Sequence, residues 1–192
     1  MPRLVTRVSA PILIGSLIML CVISTAQAAD RYYVEFRAAQ VGLYGHSYIA
    51  YGHLNENGSV ATVRYTDFHP EAGILRKFAG FLVPVDGNLT PEQDTLSLPI
   101  LARYRHNLNA AEYRKLLMEI HRARTDTHLW NALANNCNYY SARMARSVGL
   151  QAPNPLLFAG QFVRALHDLN DPSAKIVGAG VGLMTQVHGH AL

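Results

Sequence analysis

The sequence predicts an α+β fold, an antiparallel sheet packed against a cysteine-bearing helix and further helices. Three observations carry this. Strand-like alternation of aromatic and branched residues crowds into the first half of the chain, around an Asn-Gly turn. Helical periodicity with capping residues crowds into the second half. Strands followed by helices, rather than strand and helix in turn, give hairpin-linked antiparallel pairing. With 192 residues, 49% of them apolar and only 16% charged, the chain can build one real core and is not a disordered polymer.

The elements follow in order. Arg31 to Arg37 (RYYVEFR) alternates and is the first strand. Gly42 to Gly45 is a turn, and His46 to Gly52 (HSYIAYG) is the second strand. Asn55-Glu-Asn-Gly58 is a hairpin turn, because Asn and Gly accept the positive φ that tight hairpins need. Val60 to Phe68 is the returning strand, ended by His69-Pro70. Residues 71–82 (EAGILRKFAGFL) form an amphipathic helix or flap, either packing on the core or meeting a lipid or acyl surface. Val83 to Asn88 is a turn region. Asp94 to Asn107 is one or two strands with a break at Pro99. Asn109-Ala-Ala-Glu112 is a capping box opening a helix to about Arg124, with Tyr113, Leu116, Leu117 and Ile120 inward. After a loop at 125–128 comes a helix with Tyr140, Met144 and Val148 at four-residue spacing, stopped by Gly149. Asn154-Pro155 caps a last helix to about Leu169, with Leu156, Leu157, Phe162, Val163 and Leu166 inward. The Gly-rich stretch 175–192 is a tail or a late edge strand.

The N-terminus reads as an export signal. Arg3 and Arg7 precede an apolar run from Pro11 to Thr25, and Ala26-Gln27-Ala28 supplies a small-x-small cleavage pattern. The expected organisation is a signal peptide over 1–28, one domain over 29–174 and a tail over 175–192, in a periplasmic or secreted protein. Cleavage removes Cys21 and leaves Cys137 as the sole cysteine. A lone thiol in an oxidising compartment is either deeply buried or chemically used.

Position favours use. Asn135 and Asn136 are good N-cap residues, so Cys137 falls in the first turn of its helix, where the helix dipole favours a thiolate. Hairpin spacing then supplies a base. A two-residue turn at Asn57-Gly58 sets His46 opposite His69, and a four-residue loop sets it opposite Asp67. In both registers Tyr48, Ala50, Val63, Tyr65, Asp67 and His69 share the face of His46, because strand side chains alternate. A histidine backed by a carboxylate or a second imidazole is the arrangement a catalytic base needs.

Other chemistries lack support. No basic cluster is interleaved with aromatics, so nucleic acid is not an expected partner at a net charge of +4. There is no phosphate-binding glycine loop, CxxC pair, HExxH or GxSxG, and no cofactor is implied. A metal site from His46, His53 and His69 is disfavoured, since His53 lies seven positions from His46 and faces the other way. His188 and His190 read as part of a solvated tail.

Gly45-His-Ser-Tyr-Ile-Ala-Tyr-Gly52, followed by Asn135-Asn-Cys-Asn-Tyr139, resembles the circularly permuted papain-like hydrolases, including the permuted NlpC/P60 group and the lecithin:retinol acyltransferase-like enzymes. In that group the histidine strand comes first and the cysteine helix last. The likeness covers about Arg31 to Gly149. It implies a permuted papain-like fold, Cys137 as nucleophile, His46 as base and Asp67 or His69 as the orienting member, with the choice between the last two open. Asn131, Asn136 or Tyr139 would serve the oxyanion. The implied activity is that of an exported thiol hydrolase or acyltransferase. It would act on an amide or ester of the cell envelope (peptidoglycan peptide, lipid or lipoprotein) through an acyl-thioester on Cys137. The alternative is an idle papain-like binding module. Residues 71–82 are the candidate for peripheral membrane contact.

Overall fold

The run YYVEFRAA places aromatic and branched side chains on both faces of a single strand, and that strand becomes the centre of the molecule. In the computed structural model, which describes residues 31–71, 79–90, 93–126 and 129–171, β1 is Tyr32–Ala39. It is flanked by β2 (His46–His53) and β6 (Ile100–Leu108), and β3 (Arg64–Asp67) joins β2 to give an antiparallel sheet ordered β3-β2-β1-β6. A second antiparallel sheet, ordered β4-β5-β7, comprises β4 (His69–Pro70), β5 (Val85–Asn88) and β7 (Leu129–Trp130). Four helices complete the described fold: α1 (Gln93–Leu96), α2 (Ala110–Thr125), α3 (Cys137–Ser147) and α4 (Ala159–Asn170). The architecture is mixed α+β, as the segregated pattern of strands and helices predicts.

The core lies between the large sheet and the helices. Val34, Phe36 and Ala38 of β1 meet Ile49 and Tyr51 of β2, and close against Leu116 and Ile120 of α2, Met144 of α3 and Phe162, Val163 and Leu166 of α4. Tyr33, Ala50 and Leu54 form a smaller cluster with Tyr65 on the opposite face. Buried hydroxyl pairs pin α3 to the sheet: Tyr140 meets Thr66 at 2.7 Å and Ser141 meets Ser47 at 3.1 Å. Each pair satisfies groups that would otherwise be costly to bury.

The caps behave as their residues dictate. Asn109 and Glu112 complete the capping box of α2. Gly149, at φ +84°, ends α3 with Gly149 N–H donating to Arg146 O and Leu150 N–H donating to Ala145 O, the paired bonds of a Schellman motif.

The paired strands take the register expected of the two-residue turn, but they reach it through a different turn. Asn55 and Gly58 close a turn, Asn55 pairs with Ser59, and Gly58 takes φ +78°. The N–H groups of Ala61 and Thr62 then both donate to His53 O, an irregularity that shifts the register by one residue. The result is Tyr48 opposite Asp67. The predicted strand from Val60 to Phe68 is thereby cut to Arg64–Asp67, and His69-Pro70 leaves to pair with β5.

Several local expectations are corrected. Asp94 to Leu98 is not a strand: Gln93–Leu96 makes a short helix before β6 begins at Ile100. Val85–Asn88 is a strand rather than a turn, because it finds partners on both sides. Asn154-Pro155 makes a turn, not the start of a helix. Asn154 Oδ1 accepts from Leu156 N–H, and α4 opens only after Phe158, so Leu156 is exposed rather than inward. The expectations for 1–28, for 175–192 and for most of 71–82 fall outside the described residues. Among the described residues no helix is long and apolar enough to cross a membrane.

Candidate active site

Two local devices bring a thiol to an imidazole. The first is Gly45, which takes φ +71°, a region that disfavours side chains. An added Cβ would meet Ala159 Cβ and Ala39 O at 3.2 Å each. Its N–H donates to Val41 O, so the turn closes tightly and delivers His46 as the first residue of β2. The second device is Asn136. Its backbone is extended, and its Oδ1 accepts from the N–H groups of Asn138 and Tyr139, so α3 begins at Cys137 as its spacing predicts. The cap engages the N–H groups of Asn138 and Tyr139, not that of Cys137 at the helix start.

Cys137 and His46 line the same cavity, and the charge of each acts strongly on the other. His46 Nε2 lies 2.9 Å from Asp67 Oδ2, which leaves Nδ1 for the thiol. His46 is 12% exposed and Asp67 1% exposed, so little water screens the set. Burial opposes the charged form of His46, but the Cys137 thiolate and the Asp67 carboxylate outweigh it and push its pKa up to about 10. Burial likewise opposes the thiolate. The His46 charge and hydrogen bonds from His46, Ser47 N–H and the Ser47 hydroxyl outweigh that, holding Cys137 below the usual thiol range.

The orienting role falls to Asp67. His69 stands behind it, with Nε2 3.9 Å from Asp67 Oδ1, and is engaged elsewhere: Nδ1 lies 2.9 Å from Pro70 O and Nε2 2.8 Å from Thr90 O. The departure of His69 from the large sheet explains this. Asp67 sits across from Tyr48 and reaches His46 diagonally, while His69 is carried off in β4.

Of the three expected oxyanion side chains, Asn136 lines a cavity with Cys137 but its amide is already bonded, and Asn131 and Tyr139 line neither cavity. Asn136 is spent on the helix cap, with its Nδ2 donating to Ala132 O. Asn131 accepts from Leu133 and Ala134 N–H and donates to Gly80 O, so it ties two loops together. Tyr139 turns to a separate recess beside Tyr140 and Arg143. Two residues were missed. Ser47 acts through its backbone N–H as well as its hydroxyl, and a backbone donor has no residue-type signal. Trp130 Nε1 is buried without a hydrogen-bond partner. The signal for it was available, since the chain has one tryptophan and a buried indole N–H normally finds an acceptor.

Cys137 lies where two cavities meet, of about 230 and 220 Å³. Tyr44, Gly45, Phe81 and Trp130 form their shared wall. His46 and His69 line the second, and Leu133, Leu156 and Phe158 line the first. His53 is remote from both, with its ring against Tyr32 and Tyr113. Among the described residues no group of three or more His, Cys, Asp or Glu is placed to hold a metal ion. Such a set can supply a nucleophile, a proton carrier, an orienting carboxylate and a sheltered space for a substrate. Searches against protein-family models, curated proteins and solved structures found no match to this chain.

Proposed function

We propose that the chain is an exported thiol hydrolase or acyltransferase of permuted papain-like architecture, acting on an amide or ester of the cell envelope. One observation carries the reading: Cys137, at a helix N-terminus, pairs with His46, and His46 is held from behind by Asp67. The order of histidine strand before cysteine helix supports the permuted assignment.

The chemistry follows from the charges. The pair is drawn toward thiolate and imidazolium, because each pKa is displaced toward its charged form. The thiolate attacks the carbonyl carbon. The oxyanion develops beside the Cys137 N–H at the positive end of α3, and Trp130, which lines the same cavities with an unpartnered Nε1–H, is the candidate second donor. His46 gives its proton to the leaving amine or alcohol. Water or a second nucleophile then resolves the acyl-thioester, with His46 as base.

Alkylation by iodoacetamide tests the pair. Cys137 is expected to react at neutral pH, with a rate that falls only as acid protonates the thiolate. Acyl transfer has a second limit, since leaving-group protonation needs the imidazolium and is lost as pH rises through about 10. His46→Ala should abolish neutral-pH alkylation. A thiol that reacts only above its ordinary pKa of about 8.5 would sink the reading and leave an idle binding module.

A further inference from the structure

The proposed function leaves two substrate classes open, charged envelope peptides and long-chain acyl esters. We infer that the site takes an acyl ester whose hydrocarbon chain lies in the cavity beside Cys137. This rests on the thiol-transfer reading above and narrows it.

The walls argue for a chain rather than a charged peptide. Among the described residues lining the two cavities, the ionisable ones are Cys137, His46, His69 and Tyr44, and no Asp, Glu, Lys or Arg lines either. A stem peptide with free carboxylates or ammonium groups would bury charge there with nothing to pair it. The remaining surface suits hydrocarbon: Leu133, Leu156, Leu157 and Phe158 in the larger cavity, and Phe81 and Trp130 in the shared wall. Small ligand sites are usually apolar with a few placed polar groups, and here the charged ones are those of the thiol and imidazole themselves.

The mouth continues the same chemistry outward. Four loops meet there. Ala159 N–H donates to Tyr44 O, Ala132 N–H donates to Gly80 O, and Asn138 Nδ2 donates to Pro155 O and Leu157 O. The Tyr44 ring touches Phe81 and Phe158. Large apolar side chains of the cavity wall are exposed there, including Leu133 at 61%, Leu156 at 53% and Phe158 at 44%. Such an apolar rim is costly in water unless it is used. Its continuity with the cavities at Cys137 gives it an occupant, the chain of the substrate entering the site.

The step balances. Cys137 Sγ bonds to the acyl carbon as the ester C–O bond breaks, and the alcohol leaves with the proton held by His46. Water then breaks the thioester. The fatty acid departs, and the thiolate and imidazolium are restored.

A series of p-nitrophenyl esters from acetate to octanoate tests the inference. With the full exported chain, kcat/KM is expected to rise at least about tenfold from acetate to octanoate, as buried methylenes add binding. The double variant Leu133→Asp with Leu156→Asp should lower the octanoate-to-acetate ratio about fivefold or more, a ratio that cancels any loss of folded protein. Met118→Asp, on the distant exposed face of α2, should leave the ratio unchanged. A flat or falling series, in protein whose Cys137 still alkylates at neutral pH, overturns this inference and spares the thiol reading. Absence of neutral-pH alkylation overturns both.

Discussion

Two buried carboxylates share one face of the large sheet. Glu35 is 2% exposed and Asp67 0% exposed. Glu35 gives one oxygen to Arg37 Nε and the other to Arg105 Nε, each at 2.6 Å. The two guanidinium groups lie over the Tyr65 and Tyr33 rings. Every strong group has a permanent partner, and both partners keep their charge at any ordinary pH. Asp67 differs in each respect. Its Oδ2 binds a histidine that titrates, and its Oδ1 has no hydrogen-bond partner. It lies behind that histidine, which lines a cavity together with the Cys137 thiol. Burial and ion pairing are therefore poor markers of function by themselves, since both carboxylates have them. The informative marks are a partner whose charge can change and polar atoms left unsatisfied. The unpartnered Trp130 Nε1 belongs with Asp67 in this sense.

The sharpest way to break the contrast is to remove the titrating partner. His46→Ala should cut acyl transfer about 10³-fold or more, read as kcat/KM on a p-nitrophenyl ester, while folded content by circular dichroism holds. Retained activity would reduce His46 to a structural neighbour. Trp130→Phe comes next. It removes the indole N–H and keeps the ring in the shared cavity wall. Loss of one oxyanion donor costs about 10²-fold in kcat. Iodoacetamide alkylation forms no oxyanion, so its rate should stay near that of the unsubstituted protein. Equal losses in both reactions would mean that Trp130 only packs.

How much of this was legible in the residues depends on the range of the interaction. The capping box at Asn109, the cap at Asn136 and the stop at Gly149 are local, and each residue type carries its own geometry. The face shared by His46 and Asp67 was legible too, because alternation survives any even change of register. The choice between Asp67 and His69 was not. The strand register alone would set His69 across from His46, and Asp67 takes its place because His69-Pro70 leaves to pair with β5, a partner distant in sequence. Val85–Asn88 was mistaken for a turn because Pro84 and Gly87 are turn residues, and its strand character comes from β4 and β7, distant in sequence. Asn131 and Asn136 looked like oxyanion donors for the opposite reason. Their proximity to Cys137 in sequence was real, but backbone groups nearer still had already claimed their amides.

Two smaller substitutions sharpen the comparison. Asp67→Asn keeps an acceptor for His46 Nε2–H and removes the charge. The carboxylate helps hold His46 up at about 10, so without it the imidazolium is lost at lower pH. The alkaline limit of acyl transfer should move down, and kcat/KM at neutral pH should fall about tenfold. An unmoved alkaline limit would show that Asp67 does not tune the base. Glu35→Gln is the matching change on the other carboxylate. It leaves the partly exposed Arg37 and Arg105 without an anion, and losing hydrogen bonds to a charged group costs about 2 kcal/mol, visible as a Tm lower by roughly 6 °C. Nothing in the Cys137 cavities depends on that pair. The pH profile of alkylation should therefore overlay that of the unsubstituted protein, with kcat/KM within about twofold, as expected for sites without shared partners. A shifted profile would mean that the two carboxylates are coupled through the sheet, and that the distinction between a saturated cluster and an unsatisfied one does not separate structure from function in this fold.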